Sequence, residues 1–288
     1  MDRQGRGPRT GGVALNVYDE PKIDCHNHVF DPKRFPFAPD THYVPSGQEL
    51  GDAEKLRQVF DAYGVRNALV VGPNSGYGTD NRCLLDAIAR AEGRFRGMAV
   101  VPNEVSRADL ARLRDAGILG SPSMPPPSAL TTTSTPRICS PCSPSWTCSS
   151  TSRVSVTNCR RSLRWSGGRA RGSSSTTAVA PIPTPDSTRP RSRPCWPWPG
   201  RAYVKLSGYV KFSHEQYPYR DTWPYVRALI DAFGLDACVW ASDWPFLRAP
   251  ERVDYGPLLS LVEHLVPDAT DRRMLLWETP RALFGFSA

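Results

Sequence analysis

The sequence predicts an α/β protein, most simply a (β/α)8 TIM barrel, on three observations. Both ends of the 288-residue chain alternate short apolar runs with stretches of helical periodicity. The apolar runs are continuous, as strands buried on both faces are. Repeated β–α units of this size close most simply into a parallel barrel of eight strands. The barrel is expected to be incomplete in this chain, because strands 4 to 6 fall in a segment of different character.

Before that segment, "PKIDCHNHVF" (21–30) starts as a strand and ends in a polar tip. "DAEKLRQVFDAYGV" (52–65) spaces Leu56, Val59, Phe60 and Tyr63 as a helix does and stops at a glycine. "RNALVVG" (66–72) and "RGMAVV" (96–101) are strands; "DNRCLLDAIARAEG" (80–93) and "SRADLARLRDAG" (106–117) are helices, with Ser106 and Asp109 near the start of the second. After the segment come the strands "AYVKLSG" (202–208) and "ACVWASDWP" (237–245). The helices there are "WPYVRALIDAFG" (223–234), "YGPLLSLVEHLV" (255–266) and "DRRMLLWETPRALFG" (271–285). About five of the barrel's eight strands are legible in this reading.

Residues 121–200 contain ten Arg and one acid, a net of +9, so the chain's formal +8 leaves −1 for everything else. The segment has no Lys, Glu, Gln, His, Tyr or Phe and is crowded with Ser, Pro, Thr and Arg. Such a composition suits a disordered linker. A nucleic-acid arm fits less well, because the arginines are scattered and only Trp interleaves them. A third reading is coding DNA translated in the wrong frame. Joining the third base of each codon to the first two of the next turns "SSSTTAVAPIPTP" (173–185) into a run of three apolar residues with a polar tip, D-H-x-G-R-P-D in one solution. Tryptophan has one codon, so "PCWPWPG" (194–200) is forced to Leu-Ala-x-Ala, a helix end that runs into the in-frame "AYVKLSG". The segment is therefore read as a frame shift near residues 118–121, restored near 200.

The domain reading follows: residues 1–20 a disordered tail, 21–119 the N-terminal part of the barrel, 120–200 the aberrant segment and 201–288 the C-terminal part. Without strands 4 to 6 the barrel would keep open edges, and the chain is expected to be aggregation-prone. The start is basic and Gly-rich but lacks an apolar h-region, and no apolar run reaches the roughly 18 residues of a membrane span. A cytoplasmic location is the expectation. Cys139 and Cys142 form a C-x-x-C with no second pair at zinc-ribbon spacing, so no metal knuckle is expected there. Cys25, Cys83 and Cys238 are expected to be reduced thiols.

In such barrels the reactive residues stand at the C-terminal ends of strands. His26 and His28 lie two apart at the first tip, so both side chains project to one side. Imidazoles at that spacing suit Zn²⁺ or polarise a carbonyl. Asp243 closes the last strand, where a carboxylate can be general base, metal ligand or a capping residue of the turn. The first and last strands are neighbours in a closed barrel.

Beyond this spacing argument, "CHNHVFDPKRFPFAPDTHYVP", "GYGTDNRCLLDA", "YPYRDTWPYVRAL", "WASDWP" and "ETPRALFGF" resemble the amidohydrolase superfamily, in its branch of 2-pyrone-4,6-dicarboxylate hydrolases and related lactonases. The resemblance covers about residues 20–118 and 201–286. It implies that Asp243 deprotonates the attacking water. It implies that His26 and His28 bind one divalent metal, such as Zn, together with Asp243, or polarise the lactone carbonyl with none. It implies that Arg220 and Tyr43 contact the substrate, with Ser75 and Tyr77 as further candidates. The implied partner is a small carboxylated lactone, with no nucleic acid and no membrane, and the oligomeric state is not legible. A third histidine and a further arginine of the family would fall in the shifted segment. The competing readings are a decayed copy or binding protein, and a metal-dependent decarboxylase of the same superfamily.

Sequencing the gene across codons 115–202 should show one small insertion or deletion near codon 119 and a compensating one near codon 200. An offset reading interrupted by stop codons, or lacking strand and helix patterns, removes the frame-shift reading.

Overall fold

The computed structural model describes residues 16–102, 104–121 and 203–287. From the N-terminus these residues form β1 (Lys22–Asn27), α1 (Ala53–Ala62), β2 (Val65–Val71), α2 (Arg82–Ala89), β3 (Phe95–Met98), α3 (Arg107–Asp115) and β4 (Ile118–Gly120). Later come β5 (Val204–Leu206), the one-turn α4 (Tyr209–Phe212), α5 (Trp223–Phe233), β6 (Cys238–Trp240) and α6 (Tyr255–Leu265). The chain ends in α7 (Ala269–Arg273), a π-helical turn (Met274–Glu278) and α8 (Thr279–Phe284).

The strands are parallel, in one sheet of order β1-β2-β3-β4 and a β5-β6 pair. Two backbone hydrogen bonds join them: Asp243 N–H donates to the His26 carbonyl at 2.9 Å, and His28 N–H to the Trp244 carbonyl at 2.8 Å. The neighbour order is thus β5-β6-β1-β2-β3-β4, which is the order of a barrel whose last strand lies beside its first. Strands 5 and 6 of the expected barrel, the Cys139–Cys142 pair and the closure itself lie outside the described residues.

Two buried clusters sandwich the strands. Ala68 and Val70 on β2 meet Leu56 and Phe60 of α1 and Leu84 and Ile88 of α2 in the layer between sheet and helices. Leu69 and Val71, one residue out of phase, join Ile23, Cys25, Met98, Val239 and Ala241 in an inner cluster completed by Phe284 and Phe286. Continuous apolar strands are what this two-sided burial requires. The helices begin where their caps dictate: the Asp52 side chain accepts from Lys55 N–H, and the Ser106 side chain from Asp109 N–H. Among the described residues Cys25, Cys83 and Cys238 are buried thiols outside any disulfide. Among the described residues no helix is long and apolar enough to cross a membrane.

Four expectations are corrected. The fourth strand is present as Ile118–Gly120, paired with β3, so six strands are described where about five were expected. Packed structure is present within the expected tail: Val17 is fully buried, its N–H donates to Glu263 at 2.9 Å, and Glu20 pairs with Arg272 at 2.6 Å in near-complete burial. These contacts lash the start of the chain to α6 and α7, and a basic, Gly-rich composition upstream concealed them. The single C-terminal helix expected over 271–285 is broken by the π-helical turn, just ahead of Pro280, which has no N–H to continue the ladder. The turn α4 was not expected at all.

One interaction fixes how the two ends of the chain meet. Asp24, wholly buried on β1, accepts from Ser242 Oγ at 2.5 Å, Ser242 N–H at 3.1 Å, His26 N–H at 3.2 Å and Tyr255 Oη at 3.0 Å. The register of β1 against β2 advances three residues from Asp24 to Asn27 while β2 advances two, from Ala68 to Val70. This one-residue bulge lets Asp24 face the helix layer while His26, two residues on, faces the inside.

Asp24→Ala should lower the unfolding free energy by about 1–3 kcal/mol for each hydroxyl left without its acceptor. Urea unfolding measures this, with Tyr255→Phe as the milder companion. A loss within about 0.5 kcal/mol, the scale of a surface substitution, would show that the network does not hold the strands together.

Candidate active site

The bulge puts His26 and His28 on the inner side at the tip of β1, both buried, with ring centroids 4.7 Å apart and planes at 85°. Asp243 enters from the loop after β6. Val239 and Ala241 point inward and Ser242 outward to Asp24, so Asp243 points inward again. Its φ of 64° is left-handed, a conformation Asp tolerates better than most residues. Asp243 Oδ1 lies 3.4 Å from His26 Nε2 and 3.7 Å from His28 Nε2.

The other ring nitrogens define what the imidazoles can do. His28 Nδ1 is 2.7 Å from the Val71 carbonyl, so that nitrogen carries a proton and the ring turns its Nε2 toward Asp243. His26 Nδ1 meets the Lys205 ammonium of β5. An ammonium donating there leaves the His26 proton on Nε2, where it can donate to a carbonyl oxygen or to Asp243. The second carboxylate oxygen of Asp243 is paired with Lys211 of α4. Burial pushes the Asp243 carboxyl up, but the Lys211 ammonium and His28 outweigh it and hold the group well below the usual carboxylate range.

Among the described residues, His26, His28 and Asp243 are the one cluster that could hold a metal ion, with ligand atoms within 4.8 Å of one another. Two imidazoles and a carboxylate are zinc-type donors, and the His28–Val71 bond supplies the outer support a ligating histidine uses. The donor set fits a divalent ion.

The other expected residues are used differently. The Tyr43 hydroxyl is committed to both oxygens of Glu49, at 2.7 and 2.6 Å, and its ring lies under the Arg248 guanidinium at 4.2 Å. Glu49 also accepts from Arg248 N–H at 2.6 Å, which ties the loop after β1 to the loop that carries Asp243. Tyr77 is buried, its ring stacked on Phe30 at 5.9 Å and its oxygen accepting from Asp31 N–H at 3.0 Å, so it serves as wall. Ser75 is half-buried on the loop after β2. Arg220 is exposed beside α5, its guanidinium 5.4 Å from the Trp223 ring. The structure thus brings His26, His28 and Asp243 into contact and leaves Tyr43, Ser75, Tyr77 and Arg220 outside that cluster. Sequence reasoning missed Lys205, Lys211 and the Asp24–Ser242–Tyr255 support. A lysine inside the apolar run "AYVKLSG" and an aspartate inside "KIDC" were the available signals.

A model of the amidohydrolase family matches residues 23–145 and 179–286. The chain belongs to the amidohydrolase family. It is 26% identical to a 2-pyrone-4,6-dicarboxylate hydrolase of Comamonas testosteroni over 91% of this chain and 89% of that one. It is likewise 26% identical to a 4-sulfomuconolactone hydrolase of Hydrogenophaga intermedia, over 91% and 88%. A solved structure from Pseudomonas putida, named for 2-pyrone-4,6-dicarboxylic acid hydrolysis, superposes with a TM-score of 0.61 at 23% identity over 95% of this chain and 100% of that one. This family member is a hydrolase by kinship, and its fold is the family's α/β fold.

A carboxylate held below its ordinary range adds stability above about pH 4 and loses it as the pH falls. The stability difference between the wild type and Asp243→Asn should therefore shrink as the pH is lowered from about 5 to about 2. A difference constant across that range, measured by urea unfolding, would remove the Lys211–Asp243 partnership.

Proposed function

We propose that this amidohydrolase opens a carboxylated lactone, with 2-pyrone-4,6-dicarboxylate and muconolactone-type rings as its substrate classes. The observation that carries the reading is the Asp243 carboxylate facing two buried imidazoles at the meeting point of β1 and β6. The two relatives named for lactone hydrolysis support the choice of bond.

The chemistry follows from the arrangement. Asp243 accepts a proton from a water molecule as the water oxygen bonds to the lactone carbonyl carbon. The carbonyl electron pair moves onto its oxygen, where the His26 Nε2–H and the neighbouring ammonium groups stabilise the developing charge. Collapse restores the C=O bond and breaks the ring C–O bond. The departing oxygen takes the proton back from Asp243, so one water is consumed and the ring-opened acid is released. A divalent ion, held by His26 Nε2, His28 Nε2 and Asp243 Oδ1, would supply Lewis-acid polarisation of the same carbonyl. Arg220, which forms no ion pair among the described residues, remains the proposed partner for a distant substrate carboxylate through its planar fork.

The test assays the chain as it stands and a frame-restored version on 2-pyrone-4,6-dicarboxylate, because the resemblance places a third histidine and a second arginine between residues 120 and 200. In the active form, Asp243→Asn should cost roughly 10²–10⁴-fold in kcat. Arg220→Met should mainly raise KM, since it removes binding common to ground and transition states. Full activity with Asn at position 243 would defeat the mechanism, and hydrolysis confined to neutral lactones would remove the role of Arg220.

A further inference from the structure

We propose that Lys211 recognises an anionic group of the substrate beside the bond that is broken, releasing Asp243 as it does so. The inference rests on the reading above, that the substrate is an anionic lactone.

The placement of Lys211 is built into the chain. The chain leaves β5 through Gly208, whose φ of 79° suits glycine, and a Cβ there would lie 2.9 Å from Phe212 Cε2. That tight exit starts α4, a single turn anchored by the buried Tyr209 and Val210. Lys211 follows and reaches back to Asp243 across the tips of β6 and β1. Its side chain is 29% exposed, so the ammonium meets both the buried carboxylate and solvent.

An ammonium has three donors. Among the described residues Asp243 is the single partner of the Lys211 ammonium, which leaves donors for an incoming group. The local charge points the same way. Lys211 and two imidazoles border Asp243 and Lys205 stands behind His26, so two ammonium groups accompany one carboxylate and an arriving anion is met by surplus positive charge. A lysine also suits the variety of the group. Its point charge accepts a flat carboxylate or a tetrahedral sulfonate equally, where a guanidinium fork favours carboxylate geometry. The relatives' names carry both kinds, a dicarboxylate and a sulfo-lactone.

The probe is benzene-1,3-dicarboxylate, a flat dianion that cannot be hydrolysed, titrated calorimetrically into the full-length wild type, Lys211→Met and Lys211→Arg. The melts of all three are compared first, and Lys211→Gln replaces the Met variant if that one does not fold. Lys211→Met should bind about tenfold or more weakly, the scale of one charge-assisted hydrogen bond, while Lys211→Arg stays near wild type. Equal affinity in the wild type and Lys211→Met, or no binding by the wild type, overturns the proposal. Hydrolysis of the pyrone is followed in parallel. Binding that depends on Lys211 without hydrolysis by either the chain as it stands or its frame-restored form keeps the anion site and removes the lactonase reading; hydrolysis with Lys211-independent binding does the reverse.

Discussion

The site depends on the hydrogen bonds that Asp24 accepts. Four donors from three parts of the chain converge on this buried carboxyl: His26 N–H, both donors of Ser242, and the Tyr255 hydroxyl. Each donor sits next to a part of the site. Ser242 precedes Asp243, and its hydroxyl also accepts from Trp244 N–H at 3.0 Å, so the loop on both sides of the aspartate is held. Tyr255 opens α6 and packs edge-on against Trp240 of β6. Burial pushes the Asp24 carboxyl up, against the donors that hold it down. A buried acid in that position is tolerable only with its acceptor capacity filled, which makes the network an all-or-nothing support.

Above that support the site is unusual in its charge. One carboxylate is shared by two imidazoles and an ammonium, and a second ammonium stands behind His26. With Lys205 donating, His26 is a hydrogen-bond donor at Nε2; with its proton on Nδ1, it is a ligand. Lys205 is thus the neighbour that decides which of the two His26 presents. Trp244 closes the floor from the other side. Its indole lies so close to Gly51 that a Cβ there would fall 1.9 Å from Cη2, and Phe30 N–H donates to the Gly51 carbonyl at 2.8 Å.

Much of this is legible in the sequence alone. The histidine pair, the distant aspartate and the β–α alternation each follow from spacing, because period-two tips and continuous apolar strands leave plain marks in a sequence. What was hidden depends on partners far along the chain. Nothing local to "KIDCHNH" announces a bulge, so the opposite facing of Asp24 and His26 emerges only from register against β2. Lys205 and Lys211 look like surface lysines until β5 is placed beside β6. The partners of Tyr43 and Tyr77, Glu49 and Phe30, are likewise announced by nothing local, and Glu49 lies in an unremarkable "SGQEL" turn.

The Asp24–Ser242 contact spans 218 residues of chain. A ribosome therefore releases β1 long before its partner exists. During that interval Lys22, Asp24, His26 and Asn27, four polar residues in a six-residue strand, lie in a stretch that is fully buried at the end. Their polarity keeps the waiting strand soluble and poorly suited to pairing with other nascent chains. It also postpones assembly: closing so long a loop is entropically costly until the final strand arrives to repay it. The site is accordingly a property of the finished polypeptide, and a fragment that ends before residue 242 has two histidines, no carboxylate facing them and no strut beneath them.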